Sequence, residues 1–107
     1  MDYLRIGTAE TFNSPEMTVL SLHGRRVGVW RDTTGEWQAM EMACRHQNGD
    51  LSQGSREGDI VTCPRHGWRY DLSSGACLTE AWARLRRYGI KVEKGGVWVS
   101  TRPLESG

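Results

Sequence analysis

Residues 63–75 read CPRHGWRYDLSSG, and this stretch decides how the rest of the chain is interpreted. A shorter, related stretch precedes it, because residues 44–51 read CRHQNGDL. A histidine follows the cysteine by three positions in the later stretch and by two in the earlier one. A glycine, Gly67 or Gly49, comes soon after each pair and lets the backbone bend tightly. The chain therefore carries two similar loops, and each holds a thiol and an imidazole.

Length and composition limit the possible classes of protein. A chain of 107 residues is expected to form one domain, residues 1–107, which buries about two-thirds of its unfolded surface. The net charge of +1, with charges of both signs spread along the chain, predicts no nucleic-acid partner. No apolar run is long enough for a membrane span or a signal sequence, so we expect no membrane partner and a cytoplasmic location. Three cysteines, an odd number, argue against a disulfide framework.

Short alternating segments between turn signals predict an all-β fold. Residues 26–31 alternate Val27 and Val29 with the other side chains, and the turn sequence DTTG leads into a second strand over residues 37–42. Residues 90–99 carry Lys94-Gly95-Gly96 between two valine-rich runs, which is a hairpin signal. Helix is limited to a turn or two in residues 8–12 and 80–87.

Each Cys/His pair directly follows a predicted strand, residues 37–42 for the first pair and 59–62 for the second. Two loops at one end of a β scaffold can close around a single object, and thiolates with imidazoles indicate a metal ion or cluster. A structural zinc ion is one interpretation, although such ions mostly serve chains too small to build a core. Chance proximity of buried cysteines and loop histidines is another. The third interpretation is a [2Fe-2S] cluster with sulfur ligands on one iron and nitrogen ligands on the other.

The pattern C-R-H-(x)16-C-P-R-H-G-W-R-Y-D resembles the Rieske family closely, and Gly49, Leu51, Asp71 and Gly75 extend the match over residues 44–75. The resemblance implies stacked antiparallel sheets with a small cluster-binding subdomain of two loops, within about residues 43–75. It also implies one Rieske-type [2Fe-2S] cluster. Its ligands would be Cys44 and Cys63 on the inner iron, with His46 and His66 on the outer iron. The residues expected around the cluster are Arg45, Gly49, Arg65, Gly67, Trp68 and Tyr70.

Departures from the respiratory members of that family indicate the kind of cluster. Gly49 and Arg65 occupy the positions of two further cysteines that brace the loops in those members. Trp68 replaces a serine that donates to a bridging sulfide, and loss of such a donor lowers the potential. Tyr70 aligns with a tyrosine that can donate to a cysteine sulfur, and such a hydrogen bond raises the reduction potential. We therefore expect a potential in the lower part of the range of about −150 to +300 mV.

Arginines lie beside the predicted ligands, at Arg45, Arg65 and Arg69. They favour an acidic docking surface on a partner. The alternative is that they are solvated loop residues with little effect. Cys77 is expected to be a small apolar residue on a strand, and His23 to lie in a surface loop.

The chain lacks the residues for oxygenase chemistry. Such chemistry uses a mononuclear iron held by two histidines and a carboxylate, and only His23 remains after the cluster ligands are assigned. The first hypothesis is therefore an electron carrier and not an enzyme, a Rieske-type ferredoxin between a flavin-dependent reductase and a terminal oxygenase or similar acceptor. A small subunit of a larger oxidoreductase such as nitrite reductase, and a redox-sensing module, remain alternatives.

Overall fold

The computed structural model describes residues 2–14, 16–32, 34–45 and 49–104. Antiparallel strands dominate, as the sequence predicted. They are β1 (Tyr3–Thr8), β2 (Thr18–Leu22), β3 (Arg25–Arg31), β4 (Trp37–Glu41), β5 (Ser55–Glu57), β6 (Ile60–Thr62), β7 (Arg69–Asp71), β8 (Tyr88–Glu93) and β9 (Gly96–Pro103). One short helix, α1 (Ala9–Phe12), and one 3-10 turn (Leu51–Gln53) complete the described elements. No helix in these ranges is long and apolar enough to cross a membrane.

The strands form three small antiparallel sheets, in the orders β2-β3-β4, β1-β9-β8 and β5-β6-β7. The sheet β2-β3-β4 lies between two apolar clusters, because consecutive residues of β3 point to opposite faces. Val27 and Val29 are buried in the cluster shared with β8 and β9, whereas Trp30 is buried in the cluster shared with the two Cys/His loops. This arrangement confirms the predicted stacking of sheets. It also shows that Trp30 faces a second core and not solvent.

Two tight turns set the hairpins. His23 and Gly24 both take positive φ between β2 and β3, as expected for a surface turn. The predicted hairpin near the end is also present, but Lys94 and Gly95 take the positive φ values, while Gly96 already begins β9.

The prediction of helix was right for α1 and wrong for residues 80–87. That segment makes one turn, closed by a hydrogen bond from Ala83 N to Glu80 O, and then runs extended. Ala83 and Leu85 are buried and Arg84 between them is exposed, which is the alternation of a strand. Burial of this two-residue alternation in the core overrides the helix propensity of Ala, Leu and Arg.

Candidate metal centre

The first Cys/His loop follows the end of β4. Beyond Glu41 the chain stays extended and pairs with its own return, because Leu51 N donates to Met42 O at 3.2 Å and Ala43 bridges to Asp50. The last bond of this ladder runs from Cys44 N to Gly49 O at 2.9 Å. Cys44 therefore stands where a paired ladder ends and the loop begins.

The second loop is built in the same way between β6 and β7. Cys63 follows β6 directly, and its N–H donates to Trp68 O at 2.7 Å. As in the first loop, the cysteine N–H binds the carbonyl five positions further along. Gly67 takes φ of +77°, a left-handed conformation that glycine adopts without strain, and its N–H donates to Cys63 O at 3.1 Å. The two similar stretches of sequence thus close their loops with the same backbone hydrogen bond, from the cysteine N–H to the carbonyl five positions later.

The two loops touch at Gly49. A methyl group at this buried position would lie 2.9 Å from Cys63 Sγ and 3.1 Å from Arg65 Cδ, so only a glycine leaves room for the second loop. The positions of Gly49 and Arg65, where the respiratory Rieske proteins have paired cysteines, are therefore neighbours here without a disulfide. Cys44, Cys63 and Cys77 are all free thiols.

The predicted ligands differ in exposure. Cys44 and Cys63 are 3% and 2% exposed, whereas Arg65, His66 and Gly67 form an exposed loop tip. The fourth predicted ligand, His46, lies outside the described residues. Over the ranges that the structure describes, no three or more Cys, His, Asp and Glu side chains gather as an ion-binding group. The structure thus buries both cysteine sulfurs and exposes the His66 imidazole at the tip of the second loop.

Tyr70 connects the second hairpin to the first loop. Its side chain is fully buried, with Oη 3.4 Å from Cys44 Sγ and 2.9 Å from the amide nitrogen of Arg45. The Arg45 amide N–H occupies one lone pair of Oη, and either Oη or the free Cys44 thiol can donate across the 3.4 Å contact, whereas an iron-bound thiolate could only accept. Burial, followed by the contact with Cys44, raises the pKa of Tyr70 above its ordinary value of 10.0, so the hydroxyl remains a donor near neutral pH. The predicted contact between this tyrosine and a cysteine sulfur is present.

Two charged residues that the sequence analysis missed fasten the base of the first loop. Arg26 Nε on β3 lies 3.4 Å from Met42 O and 3.6 Å from Asp50 Oδ1. Asp50 also accepts a hydrogen bond from Ser52 N at 3.0 Å, which caps the 3-10 turn. The D-x-S spacing of residues 50–52 was a local signal for this cap. The partner arginine comes from a distant strand, so no local pattern could reveal it.

The remaining predicted neighbours divide between core and surface. Trp68 is half-buried against the core cluster that contains both cysteines, and its carbonyl accepts the N–H of Cys63. Arg45 is half-buried and Arg65 is exposed. Cys77 is buried, bridges to Tyr70 and accepts a hydrogen bond from Glu80 N at 3.3 Å through its sulfur, so it packs as predicted, in a single bridge beside β7.

The residues present fit a cluster in which one iron is buried and the other lies near the surface. Two free thiols lie at matching loop bases inside the protein, a tyrosine hydroxyl contacts one of them, and an imidazole lies on the exposed tip. Thiolate ligands on a buried iron and imidazole ligands on an exposed iron suit such a gradient of burial. The described chain also has two packed apolar clusters, whereas structural zinc ions mostly serve chains too small to build a core.

Comparison with known families identifies the same region. The family model of the Rieske [2Fe-2S] domain matches residues 2–89 of this chain. Among curated proteins, the oxygenase component of 3-ketosteroid-9-alpha-monooxygenase from Rhodococcus rhodochrous is 38% identical over 102 residues. That match covers 87% of this chain but 26% of the relative, so the chain spans about a quarter of the length of that protein.

Solved structures share the fold at low sequence identity. The ferredoxin of carbazole 1,9a-dioxygenase from Nocardioides aromaticivorans IC177 superposes with a TM-score of 0.78 at 23% identity, covering 95% of this chain and 100% of that one. A protein assigned as the small subunit of an NADPH nitrite reductase superposes with a TM-score of 0.72 at 16% identity, covering 94% and 99% of the two chains. At these identities the likeness concerns the fold alone.

Proposed function

Since this chain belongs to the Rieske [2Fe-2S] domain family, we propose that it is a one-electron carrier whose cluster is held by Cys44, His46, Cys63 and His66. When bound, the cluster supplies a site that gains and loses one electron. One observation carries the proposal. Two loops of matching backbone closure meet at Gly49, with a buried cysteine at each base and His66 on the exposed tip.

The roles of the chain's own residues follow from their positions. Cys44 and Cys63 would hold the inner iron out of water, and the outer imidazoles would provide the exposed edge. Tyr70 Oη, 3.4 Å from Cys44 Sγ, would donate to that sulfur once it is an iron-bound thiolate and would thereby stabilise its negative charge. Arg26 and Asp50 hold the base of the first loop, and Gly49 lets the loops approach closely. These residues would bind, orient and shield a redox group.

The electron donor would be a flavin-dependent reductase and the acceptor a terminal oxygenase, in the cytoplasm. The relatives named as oxygenase components and the ferredoxin of carbazole 1,9a-dioxygenase support the acceptor class. A flavin suits the donor, because it accepts a hydride from a nicotinamide and can release the two electrons one at a time.

A second candidate is that the same domain serves within a larger oxidoreductase. The observation favouring it is that the chain spans about a quarter of a curated relative that is itself an oxygenase component. The fold of the nitrite reductase small subunit also supports a subunit role. Co-purification in a complex of fixed stoichiometry would favour this candidate over a free carrier.

Protein-film voltammetry tests the carrier function. We expect one reversible one-electron couple in the lower part of the range of about −150 to +300 mV. The matched variants are Cys63→Ser, which should abolish the redox couple, and Cys77→Ser, which should retain it. Both thiols are buried, but only Cys63 lies in one of the two Cys/His loops. Absence of a couple from the anaerobically reconstituted wild-type protein would contradict the proposal.

A further inference from the structure

A tryptophan lies unusually exposed beside the second loop. Among the described residues, Trp82 is the most exposed large apolar side chain, at 67%, and Leu78 follows at 52%. Tryptophan is on average highly buried, and exposure of its ring to water is unfavourable. The ring of Trp82 packs edge to face against Trp68, with the ring centroids 5.9 Å apart. Trp68, Leu78 and Trp82 are called the tryptophan patch below.

The backbone attaches this patch to the second loop. Trp68 lies two positions after His66, and its carbonyl accepts the N–H of Cys63. Leu78 N donates to Arg69 O at 2.7 Å, so the segment that carries Leu78 runs alongside β7. Trp82 lies on the turn that follows, which is closed by the bond from Ala83 N to Glu80 O. A protein seated on the patch would therefore also lie against the loop that presents His66.

The charges around the patch are unequal. The exposed charged residues between positions 65 and 84 are Arg65, Arg69, Glu80 and Arg84. Three of these are cationic and one is anionic, and the half-buried Asp71 adds a second carboxylate, so this stretch carries a net charge of +1 and favours an acidic surface on the partner. Tryptophan and arginine are also the residues most enriched among those that carry binding energy at interfaces.

From these observations we propose that the tryptophan patch docks a redox protein that presents an apolar centre inside an acidic rim. The inference rests on the carrier function proposed above and adds the surface and the chemistry of the partner. Apolar contact by Trp82 and Leu78 holds the partner, and the arginines steer it. The edge of His66 then faces the partner's redox centre. Short-range burial and long-range attraction thus act on the same face as the predicted electron exit.

Stopped-flow oxidation of the dithionite-reduced protein tests the surface. The acidic probe is cytochrome b5, whose haem edge is ringed by carboxylates, and the basic probe is cytochrome c, whose haem edge is ringed by lysines. Ferricyanide, a small oxidant, measures the oxidisable cluster in each preparation. The variants are Trp82→Ala, Arg65→Glu and the control Leu104→Ala, which removes an apolar side chain of 46% exposure at the end of β9.

We expect the rate constant with cytochrome b5 to fall as salt is added and the rate constant with cytochrome c to rise. Trp82→Ala should slow the reaction with cytochrome b5 about tenfold at low ionic strength, as truncation of a central interface tryptophan does. Arg65→Glu should slow it and flatten its salt dependence, and Leu104→Ala should match the wild-type protein.

Three results would overturn the proposal. Equal rates for Trp82→Ala and wild-type protein would show that the tryptophan patch is not part of the interface. A rate constant with cytochrome b5 that rises with salt would show that the surface does not prefer an acidic partner. A concentration-dependent dimer in sedimentation, lost in Trp82→Ala, would assign the patch to a second copy of the chain. Failure of ferricyanide to oxidise the reduced wild-type protein would instead reject the carrier function on which the inference rests.

Discussion

At the scale of single residues, Tyr70 is the side chain whose contacts bear most directly on redox behaviour. Its hydroxyl lies 3.4 Å from Cys44 Sγ, and its oxygen is fixed by the amide of Arg45. A donor to a ligand sulfur stabilises the reduced, more negative cluster more than the oxidised one. The hydrogen bond should therefore raise the midpoint potential.

Replacing Tyr70 by phenylalanine should lower the midpoint potential by roughly 30–60 mV, since 59 mV corresponds to a tenfold change in a one-electron equilibrium. Voltammetry of Tyr70→Phe and of the control Tyr88→Phe provides the measurement. Tyr88 is also buried, but in the other apolar cluster. An unchanged midpoint in Tyr70→Phe would mean that the hydroxyl does not donate to the sulfur.

Asp32 is a second single residue of interest, because its hydrogen bonds make the stability of the fold depend on pH. Its carboxylate accepts hydrogen bonds from Thr34 Oγ1 at 2.7 Å, Thr34 N at 3.0 Å, Glu36 N at 2.9 Å and Gln38 Nε2 at 3.1 Å. These bonds, with Thr34 Oγ1 first, lower the pKa of Asp32 below its ordinary value of 3.8. A lowered folded-state pKa means that the stabilisation is fully present above the unfolded-state value and is lost as pH falls through the folded-state value.

We expect Asp32→Asn to lower the free energy of unfolding at pH 7 by about 1 kcal/mol, a value reduced for the partly exposed site. The difference from the wild-type protein should shrink as the pH falls below the ordinary aspartate pKa. Urea unfolding followed by circular dichroism at several pH values measures it. Glu36→Gln, an exposed neighbour in the same turn, serves as the control, and a difference independent of pH would refute the assignment.

At the scale of structural elements, the close approach of the two loops depends on Gly49. Gly49→Ala would place a methyl group against Cys63 Sγ and the side chain of Arg65, so the loops must separate. We expect a loss of most bound iron with little change in the far-ultraviolet circular dichroism. The control is Gly58→Ala, which meets no atom within 4 Å and strains only a turn at φ of +62°. Full iron content in Gly49→Ala would disprove the constraint.

The sequence predicts an element well when residues close together in the chain determine it, and poorly when contacts with distant strands determine it. The hairpin at Lys94-Gly95 and the turn at His23-Gly24 are encoded by adjacent residues that accept positive φ, so they were predictable. The two Cys/His loops were predictable because the spacing of cysteine, histidine and glycine is a local pattern, and the ligand role of these residues stays a prediction. Residues 80–87 were not, since their alternation is stabilised by a core that distant strands provide. For the same reason the burial of Trp30 and the pairing of Arg26 with Asp50 became visible only in the fold.

At the scale of the whole molecule, the sheets β2-β3-β4 and β1-β9-β8 are joined beside Glu41. Glu41 N donates to Arg86 O at 2.9 Å, and the neighbouring Met40 bridges to Arg87. The buried carboxylate of Glu41 accepts from Arg86 at 3.1 Å and lies 3.8 Å from Arg25. One carboxylate therefore pairs with Arg25 at the start of β3 and with Arg86 just before β8.

Glu41→Gln should lower the free energy of unfolding by about 2 kcal/mol, because it leaves the half-buried Arg86 guanidinium and the exposed Arg25 without the buried counter-charge of Glu41. The matched control is Glu93→Gln, which breaks the surface pair with Lys91 at 3.0 Å and should cost under about 1 kcal/mol. Chemical denaturation of both variants gives the comparison. Equal losses for the two variants would show that the junction adds nothing beyond a surface ion pair.

The central claim is that the two Cys/His loops bind one mixed-ligand [2Fe-2S] cluster. The most direct test is iron, zinc and sulfide analysis of the anaerobically purified protein, with electron paramagnetic resonance after dithionite reduction. We predict two irons and two sulfides per chain, as the cluster requires, and a rhombic signal typical of mixed histidine and cysteine ligation. Stoichiometric zinc, with no colour and no signal after anaerobic reconstitution, would contradict the claim.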